Sequence, residues 1–253
     1  MKQRRRQRSK ATSLYLWHRY IGLFATIFII LISLTGIALN HTDTLNLNAT
    51  YLKTPILLDH YNIQVPRNIH HFRTDQHTVI QADDMVFVDQ QPVYSGENKL
   101  IGSVPFGDFL IVSLSNKLLL LDEQHQLVET LEKADNVPTN IRRIGLNSEQ
   151  QVFLAANGET YHLNSMLNIQ VSNGPQLGII WSEETALTEP LKAKAQQAYR
   201  SHIISLESFI LDIHSGRFFG SLGIIFFDVI SILLMILAIT GVIIWLKQAF
   251  KRG

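Results

Sequence analysis

The sequence predicts a membrane protein: two antiparallel transmembrane helices flanking an exported, mostly-β domain, plus one amphipathic juxtamembrane helix. Three observations predict it. Two strongly apolar stretches, residues 21–40 and about 224–246, stand far apart in the 253-residue chain. Charge is segregated around them. Between them, short alternating apolar runs are broken by turn-forming pairs.

Each stretch holds about 20 residues or more, and at a rise of roughly 1.5 Å per residue that length crosses a hydrocarbon core of about 30 Å. Of 22 basic residues, seven fall within residues 1–40 and three within 247–253, where no Asp or Glu occurs. The remaining 12 face all 21 acidic residues, a net charge of −9 for the middle of the chain. Basic residues beside a span are retained on the cytoplasmic side, so both termini are expected in the cytoplasm and residues 42 to about 213 outside it. The first stretch is read as a retained anchor. Its apolar run is too long for a signal peptide, and Gly36-Ile37-Ala38-Leu39-Asn40-His41 has no convincing small-x-small cleavage site. The basic N-terminus (Lys2, Arg4, Arg5, Arg6, Arg8, Lys10) then reads as an orientation signal and lipid headgroup contact, with no nucleic-acid partner. With no cysteine in the chain, disulfides, thiolate chemistry, iron–sulfur clusters and covalent haem attachment are all excluded.

From Tyr51 to about Ser172 the alternation indicates β structure. The clearest strands cover residues 84–89, 109–114, 117–122 and 151–155. Ser115-Asn116 and Asn157-Gly158 are suited to hairpin turns because Asn and Gly tolerate positive φ. Ile101-Gly102 and Ile144-Gly145, 43 positions apart, begin similar stretches, and a unit of about 40–45 residues is what one propeller blade occupies. The reading left open is a β-meander, or small sandwich, against partial propeller-like repeats. Thr188-Glu189-Pro190 then opens an amphipathic helix carrying Tyr199, Ile203, Leu206, Ile210 and Ile213 on one face, placed on the membrane surface or under the β domain.

Of ten histidines, His18, His41 and His214 flank the spans. The spans share a phrase, Ser33-Leu34-Thr35-Gly36-Ile37 and Ala238-Ile239-Thr240-Gly241-Val242, which in antiparallel helices amounts to an inverted repeat. A b-type haem needs neutral imidazoles on its iron, an apolar slot and positive partners for its propionates. His41 and His214 are expected on the same outer side, which makes them the candidate metal ligands, provided the chain bends or re-enters at residues 216–223. Arg19 and Arg217 follow histidines and are candidate propionate partners. The bland readings are interfacial anchoring for these histidines, with Trp17, Tyr15, Tyr20 and Trp245 as the aromatic belt, and helix packing for the glycines. Asp228, in or at the rim of the second span, is costly to bury and suggests proton transfer or pairing with Arg217. His60, His70, His71 and His77 fit no ordered metal spacing and are expected as solvated loop residues.

The phrases Trp17-His18-Arg19-Tyr20-Ile21-Gly22, Leu34-Thr35-Gly36-Ile37-Ala38-Leu39-Asn40-His41, Asp212-Ile213-His214-Ser215-Gly216-Arg217-Phe218-Phe219-Gly220 and Thr240-Gly241-Val242-Ile243-Ile244-Trp245 resemble the PepSY-associated transmembrane family of bacterial inner-membrane proteins. Its larger members include haem-containing reductases of ferric siderophores. The resemblance implies haem b held by His18, His41 and His214, and a role in electron transfer linked to iron reduction or respiration. The enzymatic expectation is a component of a membrane ferric reductase, although the chain carries no complete catalytic motif and no nucleotide- or flavin-binding phrase. The alternative is a non-enzymatic, membrane-anchored binding module or accessory subunit whose periplasmic β domain docks a partner protein. His18 lacks a second histidine at its depth, which points to self-association or a larger membrane complex. The expected division is a basic cytoplasmic N-terminus (1–16), first span (17–41), periplasmic β-rich domain (42–187), amphipathic helix (188–215), second span with a re-entrant or extended start (216–246) and basic cytoplasmic C-terminus (247–253).

Overall fold

The computed structural model describes residues 2–164, 166–172 and 178–252, with side chains described between Tyr15 and Phe250. The cations at positions 2–10 and 251–252, on which the expected orientation partly rests, therefore lie outside the described side chains. The chain forms two compact units, Met1–Leu52 with Ile204–Gly253, and Lys53–Ile203. The first opens with α1 (Lys2–Asn40), of which Tyr15–Asn40 is long and apolar enough to cross a membrane.

The second unit begins with α2 (Pro55–His60), whose first position is a proline that needs no N–H partner there. Three antiparallel sheets follow. β1 (Ile69–Arg73), β2 (Thr78–Ala82), β3 (Met85–Val88) and β4 (Gln91–Ser95) pair in chain order, as do β5 (Leu100–Phe106), β6 (Phe109–Leu114), β7 (Leu118–Leu121) and β8 (Leu127–Leu131). β9 (Ile141–Leu146), β10 (Val152–Ala156), β11 (Glu159–Leu163) and β12 (Ile169–Val171) form the third, and β13 (Ile180–Trp181) adds to the free edge of β9. The three sheets are successive meanders, the third of five strands with β13 included, so the β-rich domain expected between the spans is present.

Side-chain alternation decides how the sheets pack. In the middle sheet, Leu110, Val112, Leu114, Leu119 and Leu121 meet Phe72, Val79, Val86 and Val88 of the first sheet. The intervening Ile111, Leu118 and Leu120 meet Ile144, Val152, Leu154 and Leu163 of the third. A sheet covered on both faces needs a continuous apolar run, and Leu118-Leu119-Leu120-Leu121 is one. The repeated glycines permit the closest approaches. A methyl group at Gly102 would come within 2.9 Å of Ile144 Cγ2, and one at Gly145 within 2.5 Å of the Ile180 carbonyl oxygen.

Hairpin turns follow a local rule. Asp122, Asn147 and Asn164 each accept backbone N–H bonds from the second and fourth residues that follow, and the third residue takes positive φ, at His125, Gln150 and Leu167. Short polar side chains that bond their own turn favour this geometry. Asn157-Gly158 adopts φ of 54° and 85°, the left-handed pair expected of a two-residue hairpin.

The helix expected across 188–215 is two helices. α3 (Glu189–Arg200) belongs to the β unit, where Ala198 packs with Ala82 and Phe87. α4 (Leu206–Ser215) belongs to the helical unit. The break at Ser201–Ser205 has a local cause, because Ser205 is an N-cap whose hydroxyl accepts the Ser208 N–H. Gly216, at φ 77°, ends α4, a single 3-10 turn spans Arg217–Phe219, and α5 (Gly220–Arg252) completes the unit. The second membrane-length apolar segment is Arg217–Phe250.

The start of α4 is tied to the chain just beyond α1, with Leu206 N–H bonded to the Thr50 carbonyl and Glu207 N–H to that of Leu47. α4 then runs back along α1. A methyl group at Gly216 would lie 2.7 Å from the Gly223 carbonyl oxygen, so only glycine lets the end of α4 press onto the start of α5. α1 and α5 are antiparallel, with Tyr15 beside Gln248, Gly22 beside Leu237, and the Phe28 ring 5.3 Å from Phe226.

Leu119 is wholly buried in the middle sheet. Leu119→Ala should cost about 2–5 kcal/mol of β-unit stability in denaturant titrations followed by Trp181 fluorescence. A loss under about 1 kcal/mol would mean that the three-sheet packing does not hold in solution.

Candidate functional site

In the helical unit each span's Thr-Gly phrase meets a histidine from the other polypeptide segment. His18, on α1, has Nδ1 2.8 Å from the Thr240 hydroxyl of α5. His214, on α4, has Nδ1 2.8 Å from the Thr35 hydroxyl of α1. Both threonines bond back into their own helix. Thr35 Oγ1 donates to the Leu31 carbonyl at 2.8 Å, and Thr240 Oγ1 to the Ile236 carbonyl at 2.9 Å.

A hydroxyl has one proton, so a threonine that donates to a carbonyl accepts from the imidazole. Each histidine therefore donates from Nδ1–H, and in the neutral ring that tautomer leaves the lone pair on Nε2, the nitrogen a metal would take. The following glycine leaves space beside that edge of the ring. A methyl group at Gly241 would stand 3.5 Å from His18 Cε1 and 3.9 Å from its Nε2, and one at Gly36 would stand 3.6 Å from His214 Cε1. Anything bulkier would fill the approach to the free nitrogen. Both rings are half-buried.

The two sites are related by the inverted repeat. Along α1, His18 and Thr35 are 17 residues apart, about 25 Å of helix, comparable with the thickness of a hydrocarbon core. The bend at residues 216–220 is what brings His214 to the depth of Thr35. On a straight helix it would stand well beyond the span.

The other sequence-predicted residues are placed differently. His41 lies just past α1 and is exposed, and no described hydrogen bond or ring contact links it to His214. Arg19 is exposed, stacks its guanidinium over Tyr20 at 5.1 Å and has no carboxylate partner among the described residues. Arg217 is bonded to Asp212, with Nε 2.9 Å from Oδ1, and not to Asp228. Asp228 is exposed on α5 and forms no ion pair among the described residues.

In the β unit, His70 pairs with Glu184 at 2.8 Å, and buried His71 has Nδ1 2.9 Å from the Thr185 hydroxyl. His77 is bonded to Asp89 and lies beside His125. The expectation of solvated loop histidines therefore misses specific partners for three of them. The partners are distant in sequence, so no local spacing marks them. For the membrane histidines a signal was present: histidine followed later by Thr-Gly, twice, in chain segments of opposite direction.

A family model described as the PepSY-associated TM region matches residues 1–248. The chain belongs to this family. The match covers both spans and the β unit between them, consistent with a membrane protein in which two apolar helices flank a β-rich domain. No curated protein and no solved structure matches the chain.

The tautomer assignment is directly measurable. In cofactor-free protein labelled with 15N-histidine, NMR should show a proton on Nδ1 of both His18 and His214. Thr35→Val should disturb His214 alone and Thr240→Val His18 alone. A wild-type protein whose Nδ1 carries no proton at either histidine would contradict the hydrogen-bond directions.

Proposed function

We propose that this family member is an inner-membrane, haem-b-binding electron-transfer protein, with His18 and His214 as the residues that would hold haem at opposite ends of the helical unit. The observation that carries the reading is the pair of reciprocal Thr–His bonds, which hold two imidazoles by Nδ1 and leave each Nε2 without a partner among the described residues. The residues fit the group: the donors are imidazoles, and a Cβ at Gly36 or Gly241 would already be in van der Waals contact with the ring edge, so a longer side chain there would crowd it. Haem bound there would supply a one-electron couple at each end.

The chain's own part is orientation. Thr35 and Thr240 hold the rings by Nδ1 and so set their rotation, as a hydrogen-bond partner on the far nitrogen of a ligating histidine does. Arg19, free of carboxylates, is the better-placed propionate partner, whereas Arg217 must share its charge with Asp212. Each end offers one oriented imidazole. A second imidazole to hold the group would come from another copy of the chain, which makes self-association part of this reading. His41 is the spare imidazole on the outer side, but it is not oriented by any described side chain.

The charge asymmetry supports cytoplasmic termini and a periplasmic β unit in a bacterial inner membrane. Electrons would pass to or from iron reduction or respiration through a partner, since the chain has no nucleotide-binding phrase.

Purified protein, made with ample haem supply, should show a low-spin Soret band. His18→Ala and His214→Ala should each remove about half of the haem, because each end holds one oriented ligand. Gly241→Leu should mimic His18→Ala by filling the slot, and His41→Ala should leave the spectrum unchanged. A colourless wild-type protein, or a double His18/His214 variant with full haem content, would end the proposal.

Orientation is tested separately. Reporter fusions at Gly253 should indicate cytoplasm and fusions near Asn147 the periplasm, and the reverse pattern would place the β unit inside.

A further inference from the structure

We infer that the β unit holds a second, separate metal site: a divalent first-row transition ion of the zinc class bound by His77, Asp89 and His125. The three side chains come from three hairpin turns on two sheets. His77 precedes β2, Asp89 sits in the β3–β4 turn, and His125 occupies the β7–β8 turn.

The ligand atoms converge on one point. His77 Nδ1 is 2.9 Å from Asp89 Oδ2, His125 Nε2 is 3.2 Å from His77 Nδ1, and His125 Nε2 is 3.4 Å from the same carboxylate oxygen. With metal–ligand bonds of about 2.0–2.1 Å, neighbouring donors stand about 2.9 Å apart in an octahedron and about 3.3 Å apart in a tetrahedron. The observed edges span that range.

Hydrogen bonds alone do not satisfy this triangle. With a proton on both nitrogens, both can be aimed at the shared carboxylate oxygen, but two N–H groups of like polarity then stand 3.2 Å apart with nothing between them. With a proton on one, the other nitrogen's lone pair faces the carboxylate oxygen, and with none, three lone pairs converge. A cation at the centre satisfies all three edges at once.

The surroundings hold the ligands in place. Asp89 Oδ1 accepts the Thr78 N–H at 2.9 Å, which turns Oδ2 toward the histidines. A hydrogen bond on one carboxylate oxygen orients the other toward a metal. The His77 backbone is pinned by its N–H to the Thr74 hydroxyl at 3.0 Å. The Asp122 side chain shapes the His125 turn through its bonds to the Gln124 and Gln126 N–H groups. His125 is 13% exposed and Asp89 37%, so the remaining coordination positions open toward solvent. Two imidazoles and one carboxylate with open positions suit zinc or another ion of the later first row. All three ligands lie within residues 53–203, so the site stands independently of the membrane histidines.

The test uses full-length protein in detergent, stripped with a chelator and dialysed to equilibrium against Zn2+ alone. Wild type should bind one equivalent that His77→Ala, Asp89→Asn and His125→Ala each weaken by at least about 100-fold, more than loss of an outer-shell partner does. His60→Ala and His162→Ala should bind as wild type. Cu2+ loaded into the wild-type protein should show an EPR signal with two imidazole nitrogens. That measurement decides the question even if a ligand variant misfolds. Zn2+ binding that is absent, that survives the ligand substitutions in folded variants, or that is lost in His18→Ala or His214→Ala would overturn the site. So would a Cu2+ signal without two nitrogen ligands.

Discussion

In an apolar helical unit, a polar nitrogen without a partner is costly, and the helical half of this molecule is organised around satisfying two of them. His18 and Thr240 bind each other near one end of the α1–α5 pair, and Thr35 binds His214 near the other. These bonds link segments far apart in the chain, so they set both register and rotation of the helices. A helix pair held only by aliphatic contacts could slide or rotate at little cost, because lipid tails compete equally for such surface. A hydroxyl that must donate to its own helix and accept from an imidazole leaves far less freedom.

That constraint imposes another. For His214 to reach Thr35, the chain leaving α4 must reverse within a few residues and re-enter as α5. Gly216 supplies the left-handed φ, and the paired absence of side chains at Gly216 and Gly223 lets the backbones touch. The tie between Thr50 and Leu206 fixes the other end of α4. The position of one imidazole thus depends on a cap, a 3-10 turn and two glycines.

The β unit obeys a simpler rule. Period-2 alternation divides each strand of the middle sheet between two cores, and the same Asx turn recurs at Asp122, Asn147 and Asn164. In two of these loops the left-handed position carries Gln150 or Leu167, so the backbone of the His125 loop is a property of the repeat. What distinguishes it is the side chain placed there and the neighbours that meet it.

By itself the sequence determined the spans, since length and hydropathy are local quantities, and it located the strands at 84–89, 109–114, 117–122 and 151–155, since alternation is too. It also picked out His18, His41 and His214 beside the spans and, separately, the twin Thr-Gly phrases within them. It did not decide which hydroxyl meets which imidazole, because that depends on the reversal at Gly216 and on antiparallel register. It joined α3 and α4 into one helix, because the apolar spacing continues across Ser205 while the cap that breaks it is a single serine. His77 and His125, 48 positions apart, could not be paired with Asp89 from spacing. Only the stacking of one sheet on the next brings their turns together, and that stacking is set by the sum of many apolar contacts, none of which is visible at the histidines themselves.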